Sequence, residues 1–225
     1  MNENPIHDGP FTLDPPGTIA VVGAGPLGIE ASLYGRFLGY KVTIIESNEV
    51  GGILNQDPTL PLPMLPDRCL SNLALQAIRT QKQEESEEIL PLTLGDWVNR
   101  YLIPLTQTDL LRECLELQKQ VTKIESTLVD DKDAGEEIPP DFRLTLSASS
   151  GETEHLVTEA VIVATGIDME IDVTIPMDTP YLFRIGSKRD DDWESGLWSG
   201  FKEIVKIYAA LGGRDDLDLY RPKRH

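Results

Sequence analysis

The chain is poor in the residues from which most unaided protein chemistry is built. Its 225 residues hold two cysteines, Cys69 and Cys114, 45 positions apart. No CxxC pair exists, so neither a zinc clamp nor a dithiol redox motif is present. Two reduced thiols fit a cytoplasmic protein. There are three histidines. His7 and His225 sit near the ends and His155 falls in a strand-like stretch. No nucleophile–base pair or metal-ligand set emerges, so no catalytic residue is assigned and no metal is expected. Long apolar runs are missing as well; none approaches the ~18 residues of a membrane span. The polar, proline-bearing segment Met1 to Gly17 has no basic start followed by an apolar core. It reads as a loosely held tail and not as a secretory signal.

Cations are scarce. Lys and Arg number 20 against 38 Asp and Glu, a net charge of −18. Such a surface repels nucleic acid and anionic membranes, and neither is expected as a partner. An anionic small molecule is still admissible, because backbone N–H groups bind phosphate inside a negative protein. Much of the charge is clustered at Glu84, Glu85, Glu87 and Glu88 and again at Asp130, Asp131, Asp133, Glu136 and Glu137. These read as solvated helix ends or loops, with a docking surface for a basic partner as the alternative.

What is present is concentrated at the start. Thr18 to Val22 is an apolar, β-branched run suited to a buried parallel strand. Pro26 to Leu38 follows with helical spacing and is closed by Gly39. Lys41 to Glu46 is a second strand. Together they have the size of a βαβ unit. Between the first strand and the helix lies Gly23-Ala24-Gly25-Pro26-Leu27-Gly28, a GxGxxG. Gly23 permits a tight turn, Gly25 lets backbone approach a pyrophosphate, and Gly28 lets helix and strand pack closely. The start of the helix offers N–H groups and partial positive charge to phosphate. Glu46, 18 residues after Gly28, can accept the hydroxyls of a ribose. Gly51-Gly52 lies five residues further on.

Beyond this unit, Val50 to Pro66 carries four prolines and reads as an irregular loop; its part 57–66 is the one candidate substrate lining. Ser71 to Glu88 reads as a helix, Thr93 as the N-cap of another, and Thr108 as the start of a third through Leu117. Gln120 to Ile124 is a short strand. Asp141 to Ser150 and Glu154 to Val163 form a hairpin about Gly151. Tyr181 to Ile185 is a further strand. A last helix spans about Ser199 to Leu211, its apolar face made by Phe201, Ile204, Val205, Tyr208 and Leu211. The final dozen residues read as a charged tail. These elements predict an α/β fold: a single Rossmann-like domain over 18–213, with a central parallel sheet and an added β-hairpin layer, flanked by tails 1–17 and 214–225.

The ordered set resembles the FAD-binding half of the two-dinucleotide-domain flavoprotein oxidoreductases, which include flavin-containing monooxygenases and thioredoxin-reductase-like enzymes. Residues Ala20 to Gly28, Glu46 and Gly51-Gly52 carry the first part of the likeness. Val163-Ala164-Thr165-Gly166 resembles the family's ATG crossover, and Ile185-Gly186-Ser187 its late GD motif, with serine replacing aspartate. The resemblance implies FAD as cofactor, held by Gly23, Gly25, Pro26, Leu27, Gly28, Glu46, Gly51, Gly52, Val121, Ala164, Thr165, Gly166, Gly186 and Ser187. Val121 stands where the family contacts adenine through main chain. The family's last helix aims its N-terminus at the flavin, which here points to Ser199 and Gly200; Trp193 and Trp198 either shield the ring or anchor the surface.

Only about 20 residues separate Gly166 from Gly186, too few for a second βαβ unit, and no second glycine fingerprint occurs. The expected function is thus an FAD-dependent oxidoreductase drawing electrons from outside. The donor would be a protein partner or nicotinamide set directly against the flavin. Two alternatives stand beside it: a non-catalytic nucleotide-binding or interaction protein, and a single-Rossmann NAD-dependent enzyme, for which Glu46 is equally suited. An apolar face near 167–180, covered by a partner or a second copy, is a further expectation.

Overall fold

The structure is a computed structural model that describes residues 12–81, 89–127, 141–166, 171–176, 179–186, 192–214 and 216–221. It is an α/β fold with a central parallel sheet. Strand β1 (Thr18–Val22) lies in the middle, between β2 (Lys41–Ile45) and β7 (Ala160–Val163). Outside these are β3 (Leu115–Glu116) and β9 (Leu182–Arg184), giving the order β3-β2-β1-β7-β9 with every pair parallel. Helix α1 (Pro26–Leu38) connects β1 to β2. This is the Rossmann-like arrangement expected from the sequence, in which successive βαβ units place the third, second and first strands side by side. The composition of β1 explains its place: its last four residues are buried, as a strand covered on both faces requires.

The second sheet has the order β6-β5-β4-β8; it enters beside the end of the second parallel strand, where the Lys119 N–H meets the Glu46 carbonyl, and leaves beside the start of β1, where Glu159 meets Thr18. Strands β4 (Lys119–Thr127), β5 (Asp141–Ala148) and β6 (Thr153–Thr158) are antiparallel, and β8 (Asp172–Val173) joins β4 in parallel. The sequence suggests one long strand from Glu154 to Val163. The chain instead bends at Glu159, so that β6 serves the antiparallel sheet and β7 the parallel one. The Glu159 carboxylate fixes this bend by accepting the Thr18 N–H (2.7 Å) and hydroxyl (2.9 Å).

Helix α2 (Asn72–Gln81) is followed by Leu94–Thr106, which runs as α3 (Leu94–Trp97), a π turn (Val98–Leu102) and α4 (Ile103–Thr106). Thr93 caps α3 as expected, accepting the Asp96 N–H at 3.1 Å. The acidic cluster after α2, and that between β4 and β5, lie outside the described residues. Between Val50 and Pro66 the chain is irregular apart from a 3-10 turn at Gly52–Asn55, again as expected.

Four further expectations are corrected. Residues from Thr108 do not form a helix. The Thr108 hydroxyl turns back to the Leu105 carbonyl (2.7 Å), the chain runs through turns, and Leu115–Glu116 pairs with Ile44–Ile45 as a sheet edge. Burial of Leu111 and sheet pairing outweigh the helical spacing of its leucines. The last helix, α5 (Trp193–Leu211), starts six residues before Ser199. Its N-cap is Asp192, whose carboxylate accepts the Ser195 N–H (3.0 Å) and hydroxyl (2.6 Å). The C-terminal residues are also more than a charged tail. Residues 216–221 return to the core, where the Leu219 N–H donates to the Tyr34 hydroxyl (3.1 Å) and the Tyr220 ring meets Tyr34 and Phe201 at 5.2 and 5.1 Å. The N-terminal segment docks too: the Leu13 N–H donates to Leu211 (2.8 Å), and its carbonyl accepts the Tyr40 hydroxyl (2.7 Å).

Helix α1 carries a fully buried carboxyl group, Glu30. It accepts the Ser71 N–H (2.8 Å) and hydroxyl (2.7 Å) at the head of α2, and the Tyr220 hydroxyl at 3.4 Å. No helix among the described residues is long and apolar enough to cross a membrane.

Candidate dinucleotide site at the carboxyl end of the sheet

The glycine turn joins the carboxyl end of β1 to α1. Gly23 has φ +106°, a value that L side chains rarely adopt, and its N–H donates to Ile45 at 2.8 Å. A Cβ at Gly28 would fall far inside van der Waals contact distance of the Gly23 carbonyl oxygen. Here glycine is needed for close helix–strand approach. Gly25 differs from both: it is the N-cap of α1, no side chain caps it, and a Cβ there would meet nothing within 4 Å. Pro26 occupies the first helical position, where a missing N–H costs nothing. The start of α1 therefore has no side-chain cap and open space in front of Gly25, which is the arrangement an anionic group requires.

Glu46 ends β2 beside this turn and is 6% exposed. One carboxylate oxygen accepts the Ala24 N–H at 2.7 Å; the other accepts the Asn48 N–H (3.0 Å) and the Ser47 hydroxyl (3.2 Å). The acid thus ties the glycine turn to the loop after β2. Sequence reading gave Glu46 but missed its internal partners, because backbone N–H groups leave no trace in residue type. Gly51 continues the connection: its N–H donates to the Ala24 carbonyl at 2.9 Å, and a Cβ on it would press on Val98. Gly52 and Gly166 both face open space.

The crossover after β7 comes to the same place. Ala164 N–H donates to Val22 at 2.8 Å, and Ala164 and Thr165 are the atoms that a Cβ on Gly23 would touch first. On the other flank, Leu27 in the first turn of α1 fills the space left by Gly186 and Gly200. Gly186 N–H donates to the Glu203 carboxylate at 3.0 Å, a partner not anticipated from sequence. Val121 sits in β4, buried, two residues past Lys119, whose N–H donates to the Glu46 carbonyl at 3.1 Å. Gly23, Gly25, Pro26, Leu27, Gly28, Glu46, Gly51, Ala164, Thr165 and Gly186 are therefore brought together around one sheet end, with Val121 beside it. Ser187 lies outside the described residues, as do 167–170 and 177–178 of the expected apolar face.

Ser199 and Gly200 are not at a helix start, since α5 begins at Trp193. Gly200 is instead a packing site for Leu27. Trp193 and Trp198 are 43% and 41% exposed, and Trp198 lies edge-on to Phe201 at 5.4 Å. His155 is on an exposed strand, 3.4 Å from the Thr145 hydroxyl. Both cysteines are buried; desolvation pushes the Cys69 thiol up to about 12 and raises Cys114 too, so neither supplies a thiolate. Among the described residues no cluster of His, Cys, Asp and Glu could hold a metal ion. A groove of about 720 Å³ runs along the outer face of the loop after β2, between Val50, Asn55, Val98, Gln107 and Leu117. It does not include the glycine turn.

No family model matches the chain, and no curated protein does. Among solved structures it is similar to S-allyl-L-cysteine S-oxygenase from Allium sativum, at 16% identity and TM-score 0.49, over 67% of this chain and 36% of that one. It is similar also to an FAD-bound OTEMO structure, at 24% identity and TM-score 0.48, over 68% of this chain and 26% of that one. A third similar structure is a bacillithiol disulfide reductase from Bacillus cereus, at 15% identity and TM-score 0.47, over 87% of this chain and 56% of that one. The chain thus spans between about a quarter and just over half of these proteins. A likeness at this identity and overlap does not carry their activities to this chain.

Proposed function

We propose that this chain binds FAD and is a flavoprotein oxidoreductase of the monooxygenase or reductase type, taking electrons from an external donor. The observation that carries this reading is the open, uncapped start of α1 at Gly25, set between Glu46 on one side and Ala164-Thr165 on the other. Gly23, Gly25, Pro26, Leu27 and Gly28 would cradle the pyrophosphate, with Glu46 accepting a ribose hydroxyl. Val121 would lie on the adenine side. Gly51, Gly52, Ala164, Thr165, Gly166, Gly186 and Ser187 would line the path toward the flavin. Flavin, when bound, supplies the redox chemistry; the protein orients it and sets its electrostatics. The donor would be a protein partner or nicotinamide placed against the flavin. Purified protein should show the two-band absorbance of oxidised flavin, or acquire it when FAD is added. A colourless preparation that takes up no FAD would overturn the reading.

One specific observation favours a second reading, that of a nucleotide-binding protein without turnover. The ADP end of the site is open, but the backbone donors expected at the flavin end are engaged by carboxylates: Gly186 N–H by Glu203, and the start of α5 by Asp192. On this reading FAD binds no more tightly than ADP, and bound flavin supports no coupled conversion. Titration calorimetry with both ligands, followed by anaerobic reduction and reoxidation, separates the two.

A further inference from the structure

Two residues, Leu117 and Gln118, carry the chain from β3 to β4, and they turn about Glu46. The Glu46 N–H donates to the Glu116 carbonyl at 2.9 Å, and the Glu46 carbonyl accepts the Lys119 N–H at 3.1 Å. In this short turn Gln118 takes φ +59°, in the left-handed region. A residue other than glycine is costly there and persists where its surroundings hold it. Both ends of the Gln118 amide are engaged. Its Nε2 donates to the Asn48 carbonyl at 2.9 Å, and its Oε1 accepts the Ser149 hydroxyl at 3.1 Å. The Ser149 N–H donates to the Gln118 carbonyl at 3.3 Å. Gln118 thus joins three segments: the turn before β4, the hairpin turn after β5 and the loop after β2.

The loop after β2 sets the Glu46 carboxylate. Among the described residues three donors reach that carboxylate: the Ala24 N–H on one oxygen, and the Asn48 N–H and Ser47 hydroxyl on the other. A carboxylate offers about four acceptor positions, so about one is left for a ligand. Its direction depends on where Asn48 sits. Ala24 belongs to the glycine turn, whereas Asn48 is exposed and lies in no helix or strand. The Asn48 N–H is tied to Glu46 itself, two residues back, and the Asn48 carbonyl is tied by Gln118 to a different part of the fold.

We propose that Gln118 is a positioning residue for the ribose end of the site: by holding Asn48 it keeps the open acceptor position of Glu46 in place for a single ribose hydroxyl. This rests on the reading that Glu46 and the glycine turn hold the ADP part of FAD. The effect of Gln118 passes through Asn48 and Glu46 and requires no contact of its own with the nucleotide. An acceptor fixed beforehand raises affinity because less order is lost on binding. It also makes the site read one hydroxyl of the ribose and not the pair.

Titration calorimetry of the full chain with ADP, 2′-deoxy-ADP and 3′-deoxy-ADP tests this. The parent should bind one deoxy analogue as well as ADP and the other about tenfold more weakly. Gln118→Asn and Gln118→Gly both suit a left-handed backbone, and neither side chain is long enough for Asn48. Each variant should melt within about 2 °C of the parent. Each should bind ADP about threefold to tenfold more weakly, while the poorly bound analogue keeps its parental affinity. In a Glu46→Gln background, Gln118→Asn should change ADP affinity by less than about twofold. A Gln118 that serves the fold alone would lower all three affinities alike or lower the melting temperature, and either result would overturn the proposal. So would a parent that binds ADP and both analogues equally, or Gln118 variants that bind ADP as the parent does. A parent that binds neither ADP nor FAD would overturn the nucleotide reading itself, and the positioning role with it.

Discussion

The Ala24 N–H points at the Glu46 carboxylate across 2.7 Å, so the acid expected to meet a ribose also holds the glycine turn in shape. Two roles fall on one side chain. Replacing Glu46 by Gln keeps the size and one acceptor oxygen but removes the charge. Hydrogen bonds to charged groups contribute about 1.5–3 kcal/mol, so ADP affinity should fall by about tenfold to a hundredfold. Glu46→Ala should in addition lower the melting temperature, because the buried Ala24 N–H loses its partner. Calorimetric titration with ADP and a thermal melt of both variants test the two roles separately.

Gly25 and Gly28 are two of the three glycines of one motif, yet they should fail differently. A Cβ at Gly28 collides with the Gly23 carbonyl, and relieving that contact pushes α1 off β1. Gly28→Ala should cost about 1–3 kcal/mol in a urea unfolding curve. Gly25→Ala meets nothing in the protein and should melt within about 2 °C of the parent, a stability change of under about 0.5 kcal/mol. It should nonetheless abolish ADP binding, since the methyl group stands where a pyrophosphate would approach. Equal loss of stability in both variants would show that the turn is not open.

Glu30 makes global stability depend on pH in a direction opposite to that of a salt-bridged carboxylate. Its folded value is raised from 4.5 to about 7, so the folded state binds the proton more tightly than the unfolded state. The stabilisation is complete below pH 4.5 and is lost as pH rises to 7. The full span corresponds to about 3 kcal/mol for this one group. The urea midpoint of the parent, relative to that of Glu30→Gln, should decline between pH 5 and pH 7 and then run parallel to it.

Asp192 tests where α5 begins. A helix starting near Ser199 would make Asp192 an ordinary loop residue, and Asp192→Ala would be silent. With Asp192 as the N-cap, the substitution should cost about 1 kcal/mol, read as a lower melting temperature; Asp192→Asn should recover most of it.

The site was legible from sequence wherever chemistry demands a residue type. Gly23, Gly25, Gly28 and Glu46 announce themselves because a turn, an approach, a close packing and a carboxylate each need one kind of residue. The Thr93 cap and the strands at 18–22 and 41–45 were legible for the same reason. Glu203 on Gly186 and Asn48 on Glu46 were not, since one partner in each is a backbone N–H. The segment from Thr108 to Leu117 misled because leucines at helical spacing are equally served by a buried turn and a sheet edge. Glu30 did leave a signal, unread: it lies three positions after Leu27 and four before Tyr34, on the buried face of α1, where a charged residue is out of place.

The bend at Glu159 has a bearing on engineering. The antiparallel sheet is anchored to the parallel one at two places: at Lys119, whose N–H meets Glu46 beside the glycine turn, and at Glu159, whose carboxylate meets Thr18 at the opposite end of β1. The hairpin turn at Ser149 to Gly151 is exposed but lies at the site end of this sheet, where the Ser149 N–H and hydroxyl meet Gln118 and the Gln118 amide donates to the Asn48 carbonyl at 2.9 Å. A guest segment spliced in at that turn would press on the loop that carries Glu46, so the turn is a lever on the site and no neutral port for cargo.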